Sequence, residues 1–341
     1  MRIERDRDFL RTDEGFFFCV VGYEHPPDRV LAYLKYVPSP SGKWGGAVRY
    51  HRVLARYDAA SVADTFSILR NHPEYLFYSD VYGVTFSAVP KMEIVERYYP
   101  EVKVASLLLK EKLDKLQSKA LSLIQLISSE SGVSIEKFGV TGSILIDIHN
   151  PSLSDIDLTV YGRGNALKVK EVLLSLRGKA ITPFTSDAAE EWISKKEGVF
   201  QLSRIQAQKI LERKWNIGFY EGTRFSIHPV KNDAEITEVY GEKIYRSLGF
   251  STIEATVSSC DEALFLPCRY EVEDAVFLEG KPVEDIREVV SYEGLFCDIL
   301  KEGEKIRVHG KLERVEGKKG EYYRVLVGSQ EANARDYIHI L

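Results

Sequence analysis

Two aspartates separated by one apolar residue, shortly after a Gly-Ser pair, constrain this chain more than any other feature. The segment reads Phe-Gly-Val-Thr-Gly-Ser over residues 138–143, then eleven residues, then Asp155-Ile-Asp157-Leu-Thr-Val. Alternate side chains of a strand point to the same face, so the two carboxylates share one face with their Cα atoms about 6.5–7 Å apart. The apolar residues between and after them face a core. The sequence therefore predicts a turn and a strand that together can hold one hard cation and a phosphate.

This combination resembles the motif of the polymerase-beta-like nucleotidyltransferase superfamily. That motif is an apolar residue, Gly-Ser or Gly-Gly, a spacer of about ten residues, and two acids separated by one residue within apolar flanks. Here it corresponds to Gly142, Ser143, Asp155 and Asp157. The resemblance implies that Asp155 and Asp157 bind Mg²⁺ (or Mn²⁺), which carries the triphosphate of a nucleotide. It also implies that Ser143 and the backbone of Gly142 bind phosphate oxygens. The whole chain is similar to an archaeal family of predicted nucleotidyltransferases.

The chain departs from the superfamily pattern at the position of a third carboxylate, which usually lies on an adjacent strand. The strand predicted over residues 223–230 carries Ser226 there. His228 lies two residues further on the same face and could act as a base, act as a ligand, or be a buried structural residue. Three other acids could supply the carboxylate if the fold brings them close: Asp147, Asp233 and Glu235.

A basic segment precedes that strand. Arg213 and Lys214 end a predicted helix and are followed by Trp215. We expect these two cations to bind the nucleotide's triphosphate or an RNA backbone, with the indole stacking on a base. The competing interpretation is a solvated helix face. Arg163, between two glycines, could also reach a phosphate.

The length of 341 residues predicts two or three domains. We expect an α/β chain of mixed α+β type with a nucleotidyltransferase-like core over residues 106–261. An N-terminal α+β domain over 1–105 precedes this core, and a small β-barrel of the oligonucleotide-binding kind over 262–341 follows it. The clearest predicted helix runs over 104–129, where apolar residues form one stripe.

Within the N-terminal part, two apolar and aromatic runs over 16–23 and 30–37 flank a segment that favours a turn. They are predicted to pair as antiparallel strands. The many tyrosines and phenylalanines of this part fit either core packing or a surface on which bases stack.

Composition limits the class of protein. Hydrophobic residues make up 44% and charged residues 28%, as in soluble globular proteins. The charged start is not a signal peptide, and no apolar run is long enough to cross a membrane, so we expect a cytoplasmic protein without a membrane partner. Four scattered cysteines show no zinc-site spacing, and the scarcity of Met, Asn and Gln is typical of thermophiles. A net charge of −5 means that any nucleic acid must be held by local basic patches.

These features predict transfer of a nucleoside monophosphate from an NTP to a hydroxyl acceptor, with release of pyrophosphate. The flanking domains favour RNA as the acceptor. Two alternatives stay open: a degenerate protein that binds nucleotide or RNA as a scaffold, and a transferase that modifies a small molecule.

Overall fold

The computed structural model describes residues 2–54, 59–318, 320–333 and 335–341, which form a mixed α/β structure with three sheets. The first sheet belongs to the N-terminal part, together with two short helices, α1 (Ala59–Asp64) and α2 (Phe66–Leu69). Its strands are β1 (Phe9–Arg11), β2 (Phe17–Val20), β3 (Arg29–Pro38), β4 (Trp44–Gly45), β5 (Arg49–Arg52), β6 (Leu76–Ser79), β7 (Val84–Pro90) and β8 (Glu96–Tyr98).

The long strand β3 organises this first sheet. The main strand order is β4-β5-β3-β2-β1-β8, and β3 also pairs with β7, which pairs with β6. Strands β2 and β3 pair antiparallel, so the predicted pairing of the two aromatic runs is confirmed. Most of the aromatic residues of this part lie in two hydrophobic clusters on the two faces of the sheet.

The second sheet carries the Gly-Ser and Asp-x-Asp segment. Its elements are α3 (Pro100–Leu109), α4 (Lys115–Ser131), β9 (Phe138–Val140), α5 (Gly142–Leu145), β10 (Ile156–Tyr161), α6 (Arg163–Leu176), β11 (Ile181–Thr182), α7 (Ser186–Lys196), α8 (Arg204–Arg213), β12 (Ile217–Tyr220) and β13 (Thr223–Val230). The strand order is β11-β12-β13-β10-β9. Strand β10 pairs parallel with β13 and antiparallel with β9.

The prediction of one helix over residues 104–129 is wrong, because two helices meet there. Helix α3 ends at Leu109, and α4 begins after Asp114, whose carboxylate accepts hydrogen bonds from the N–H groups of Leu116 (2.9 Å) and Gln117 (3.0 Å). The Gln117 side chain in turn accepts from the Asp114 N–H group, which completes a capping box. Such a cap satisfies the free N–H groups of a helix start. Continuous apolar periodicity concealed this break.

One face of the second sheet is covered by helices α3, α4 and α6. The core there combines residues of α4, such as Leu123 and Ile127, with Leu158 of β10 and Ile227 of β13. The alternate residues of β10 and β13 therefore face away from these helices, towards the other two sheets.

The third sheet closes into a ring of five strands. Its strands are β14 (Lys243–Ser259), β15 (Cys268–Glu279), β16 (Ile286–Ser291), β17 (Lys305–Gly317), β18 (Gly320–Val327) and β19 (Tyr337–Ile340). The ring runs β14-β15-β16-β18-β17 and closes through pairing of β17 with β14, while β19 is added to β17. Strands β16 and β18 pair parallel, and the other pairs are antiparallel.

The units of the structure differ from the boundaries expected at 105/106 and 261/262. The first boundary falls inside α3, which packs on the second sheet. The ring begins at Lys243, because a register shift between Ser247 and Phe250 lets β14 continue through a glycine-containing stretch. Helices α7 and α8 contribute Trp192 and Ile210 to the core of the ring rather than to the second sheet. Among the helices of the described residues, none is both long and apolar enough to cross a membrane.

Candidate active site

The two aspartates of the motif lie together at the start of β10. Asp155 directly precedes the strand and keeps contact with solvent, and Asp157 is half-buried. Partial burial, reinforced by the charge of Asp157, raises the pKa of Asp155, while Arg224 and Arg52 oppose this shift. Within the part of the chain that the structure describes, no hydrogen bond or ion pair holds the carboxylate of Asp155. One carboxylate is thus available to a ligand beside a second one.

The turn at Gly142 fits against Asp157. Gly142 has φ +67°, and a Cβ atom at this residue would lie 2.6 Å from Oδ2 of Asp157. The N–H group of Thr141 also donates to the carbonyl oxygen of Asp157 at 2.9 Å. Ser143 is buried, and its hydroxyl donates to Oγ of Ser154, at 3.0 Å. Glycine is required here because any side chain would displace the carboxylate.

Ser226 and His228 complete a hydrogen-bonded row with Asp157. The register of β10 and β13 places Ser226 beside Asp157. The Ser226 hydroxyl donates to Oδ1 of Asp157 at 2.6 Å and lies 2.9 Å from Nε2 of His228. Since the only proton of the hydroxyl goes to the carboxylate, Nε2 of His228 must be the donor in the second bond. The ring therefore carries its proton on Nε2, and Nδ1 is left as an acceptor.

His228 is held in the neutral form. Burial, together with the positive charges of Arg7, Lys35 and Lys214, lowers the pKa of His228 well below its ordinary value. A neutral imidazole with a free acceptor nitrogen can take up a proton from a hydroxyl group.

Arg7 also belongs to this site, although no sequence pattern indicates it. It has φ +74°, a conformation that is uncommon for residues other than glycine. Its carbonyl oxygen accepts the hydroxyl of Thr141 at 2.8 Å, and its guanidinium pairs with the buried Asp6 at 3.1 Å. Burial opposes the charge of Arg7, but Asp6 and, more weakly, Asp157 raise its pKa. Because Arg7 is distant in sequence and lies outside any regular element, only the fold shows its proximity.

The structure separates the two cations predicted to bind nucleotide. Lys214 lies at the wall of the central cavity, where its Nζ atom donates to the carbonyl oxygens of Gly294 (2.7 Å) and Cys297 (3.0 Å). Burial lowers the pKa of Lys214. Arg213 points elsewhere and pairs with Glu304 at 2.6 Å. Both cations thus fasten the second sheet to the loop before β17.

The remaining residues singled out in the sequence also have partners elsewhere. Trp215 is buried and donates to Asp298 at 2.5 Å, so its indole is part of the core. The other pairs are Arg163 with Asp261 (2.5 Å), Asp147 with Lys103 (2.6 Å), Asp233 with Arg5 (2.5 Å) and Glu235 with the N–H group of Arg163 (2.8 Å). The three alternative acids do not line the cavity described next, and none of them supplies a third carboxylate there.

The site opens into a cavity of about 960 Å³ that all three sheets enclose. Asp155, Asp157, Ser226 and His228 lie on its wall. The cations on the same side are Arg7, Lys35, Arg52 and Arg224. The paired carboxylates supply the oxygen ligands that Mg²⁺ and Mn²⁺ prefer, and the surrounding cations suit a polyphosphate. The residues present therefore fit a divalent ion bound with a nucleotide.

A protein of Methanocaldococcus jannaschii described as "Uncharacterized protein MJ1086" is 31% identical to this chain over 343 residues, which cover 98% of each sequence. The chain belongs to the same family. The match spans all three sheets. No family model matches the sequence, and no solved structure matches it.

A second group of possible metal ligands belongs to the N-terminal part and does not line this cavity. Its members are Glu14, His72 and Glu74, whose ligand atoms all lie within 4.8 Å of one another. Nδ1 of His72 is 3.4 Å from Glu74 and 3.8 Å from Glu14.

Proposed function

We propose that this protein is a metal-dependent nucleotidyltransferase. It transfers a nucleoside monophosphate from an NTP to a hydroxyl acceptor and releases pyrophosphate. The observation that carries the proposal is the contact of Gly142 with the carboxylate of Asp157, beside the uncommitted carboxylate of Asp155. This contact brings both halves of the sequence motif together on the wall of the cavity, which Arg7, Lys35, Arg52 and Arg224 also line.

The arrangement of the second sheet supports a core of the polymerase-beta-like kind. Strand β9, the Gly-Ser turn, β10 and the parallel neighbour β13 follow one another in the order that the motif implies. Residue 226 lies beside Asp157, where the superfamily's third acid is expected. The substitution of serine at this position is then the main departure from the pattern.

Each residue of the site has its own role in the proposed transfer. Asp155 and Asp157 hold Mg²⁺ or Mn²⁺, which supplies charge neutralisation for the triphosphate and the leaving pyrophosphate. Arg7 lies where it can contact a phosphate. Ser226 orients Asp157, and Nδ1 of His228 receives the proton of the acceptor hydroxyl. The lowered pKa of His228 makes it a weak base.

The sequence favours RNA as the acceptor, but the third sheet is compatible with more than one class of acceptor. Its strands form a closed ring in the order first, second, third, fifth, fourth, with the third and fifth parallel. This is the strand order of oligonucleotide-binding barrels, whose ligands include oligonucleotides and oligosaccharides.

A second candidate function is a scaffold that binds nucleotide without turnover. The specific observation in its favour is that a serine replaces the third carboxylate and occupies Oδ1 of Asp157. In that case Asp155 and Asp157 still bind a metal–nucleotide complex, but no transfer follows.

The experiment combines binding and transfer. Binding of Mn²⁺·ATP is measured by calorimetry, and transfer of label is measured with α-labelled NTPs, Mn²⁺ and a deproteinised extract of archaeal cells. We compare wild type with D155N/D157N and with D147N/D233N, a matched double substitution of aspartates outside the cavity. Loss of both binding and transfer in D155N/D157N alone is expected. Retained binding without transfer in wild type indicates the scaffold, and transfer that survives D155N/D157N contradicts both functions.

A further inference from the structure

The third sheet forms a second wall of the cavity, and none of its residues has been given a role in the proposed function. We call it the barrel wall and define it by six cavity-lining residues of the third sheet: Tyr245, Glu288, Lys311, Glu313, Tyr322 and Arg324. Four of them, the charged ones, are almost completely buried. Ionisable groups that line a cavity and are buried to this degree need partners, so their pairing shows what the wall can bind.

The cations of the barrel wall are already neutralised by carboxylates. Arg324 donates to Glu313 at 2.8 Å, and Lys311 pairs with Glu331 at 2.6 Å. Glu288 accepts the hydroxyl of Tyr322 at 2.9 Å. A phosphate backbone is bound by cations that lack such partners. Other cavity-lining cations of the third sheet are paired as well: Arg269 with Glu262, Arg287 with Asp285 and Lys318 with Glu242. The third sheet therefore offers few unpaired cations to an RNA strand.

The wall that carries the two aspartates also carries Arg7, Lys35, Arg52 and Arg224, whose charges act on Asp155, Asp157 or His228. The cavity thus has one end that suits a metal–triphosphate complex and another that is polar but balanced in charge. Its volume of about 960 Å³ is at the upper limit for sites of single small molecules, so it has room for a nucleotide and a second small ligand.

We propose, on the basis of the proposed function, that the acceptor is a small, uncharged, polyhydroxylated molecule of the carbohydrate class, bound against the barrel wall. Carboxylates such as Glu313 retain free lone pairs, and the guanidinium of Arg324 retains N–H groups, which together can bind neighbouring hydroxyls. The ring of Tyr245 is stacked on Tyr82 and covered by the guanidinium of Arg324, and Arg287 lies over the ring of Tyr322, so the wall offers hydrogen bonds rather than an aromatic face. Barrels of this strand order bind oligosaccharides as well as oligonucleotides, and the charge balance selects the former.

The reaction in this arrangement is a simple displacement. An oxygen of a sugar hydroxyl attacks the α-phosphorus of the NTP and forms a new O–P bond. The bond between the α-phosphorus and the bridging oxygen breaks, and pyrophosphate leaves with that electron pair. The hydroxyl proton passes to Nδ1 of His228, and the product is a nucleoside monophosphate ester of the sugar.

The test uses the full-length protein with Mn²⁺ and α-labelled NTPs. A deproteinised archaeal extract is divided by a 3 kDa filter into a small-molecule fraction and an RNA-containing fraction. We expect label in the small-molecule fraction, in a product that resists ribonuclease and releases an uncharged sugar after treatment with phosphodiesterase and phosphatase. Label in RNA, or no labelled small product while aspartate-dependent Mn²⁺·ATP binding persists, overturns the acceptor assignment. Absence of that binding overturns the proposed function itself.

Variants of the barrel wall provide a second readout. Y322F and E313Q each remove a hydrogen-bonding group of the wall, and we expect transfer to fall about tenfold or more, with unchanged affinity for Mn²⁺·ATP. R314Q serves as the matched control, because Arg314 lies on the same strand as Glu313 but pairs with Glu316 outside the cavity. If Y322F, the milder change, transfers label as fast as R314Q, the barrel wall does not bind the acceptor.

Discussion

Replacement of Ser226 by aspartate tests the carboxylate pair most directly. The side chain of residue 226 lies beside Asp157, with Oγ only 2.6 Å from Oδ1. In S226D a third carboxylate would approach Asp157 to about 4 Å, where two like charges repel by about 1 kcal/mol in water and about 4 kcal/mol in a partly buried setting. Asp157 is half-buried, so the repulsion lies between these limits.

A divalent ion bound between the carboxylates relieves this repulsion. We therefore expect S226D to bind Mn²⁺ between about fivefold and about 700-fold more tightly than wild type, since each 1.4 kcal/mol corresponds to a factor of ten. Without metal, the same repulsion should lower resistance to urea. Calorimetric titration with Mn²⁺ and urea melts with and without the ion measure the two effects.

The control for this substitution is S226A. It removes the hydrogen bond to Asp157 without adding a charge, so any effect of a freed carboxylate oxygen appears in it as well. If S226D and S226A bind Mn²⁺ equally, no ion is held between residues 157 and 226, and the assignment of the metal site is wrong.

Three further predictions concern other parts of the structure. R7M should weaken the binding of Mn²⁺·ATP about tenfold, because a charge-assisted contact is lost; calorimetry measures this affinity. Tighter binding would mean that Arg7 only neutralises the charge of the aspartates. Burial lowers the pKa of His25 from 6.5 to about 4, so it binds a proton in the unfolded chain before it does in the folded one. The contribution of His25 to the free energy of unfolding is complete above pH 6.5 and falls by about 3 kcal/mol as the pH drops to 4. Urea melts should therefore show that the stabilities of wild type and H25Q diverge over this pH range. A constant difference between the two proteins would contradict the prediction. R213M should lower the free energy of unfolding by about 1 kcal/mol through loss of the ion pair with Glu304, whose two side chains are about one-quarter exposed (25% and 23%). The affinity for nucleotide should not change. A weaker affinity would mean that Arg213 does bind the nucleotide.

Local patterns predicted the parts of the site that lie close together in the sequence. The period of two of a strand predicted that Asp155, which directly precedes β10, and Asp157 point to the same side. The strand predicted over 223–230 is β13, with the same bounds. The sequence also predicted that Ser226 and His228 share a face. These statements depend only on strand geometry and hold wherever the strand forms.

Contacts between distant segments could not be predicted in this way. Arg7 reaches the site through a loop conformation that no periodicity indicates. Arg213 follows a helical pattern that is compatible with either solvent or a nucleotide, and only the packing of α8 on the ring decides its partner. The early start of the ring at Lys243 was concealed by a bulge that interrupts the alternation of β14.

The link between α8 and β12 has a mechanical consequence. Three consecutive side chains there, from Arg213 to Trp215, are fastened to residues 294–304, the loop that leads into β17. The closed ring and the sheet with the aspartates must therefore move as one piece. If the cavity opens by relative motion of the sheets, the N-terminal strands must be the part that moves, so a crosslink between those strands and the ring should slow the release of a bound nucleotide.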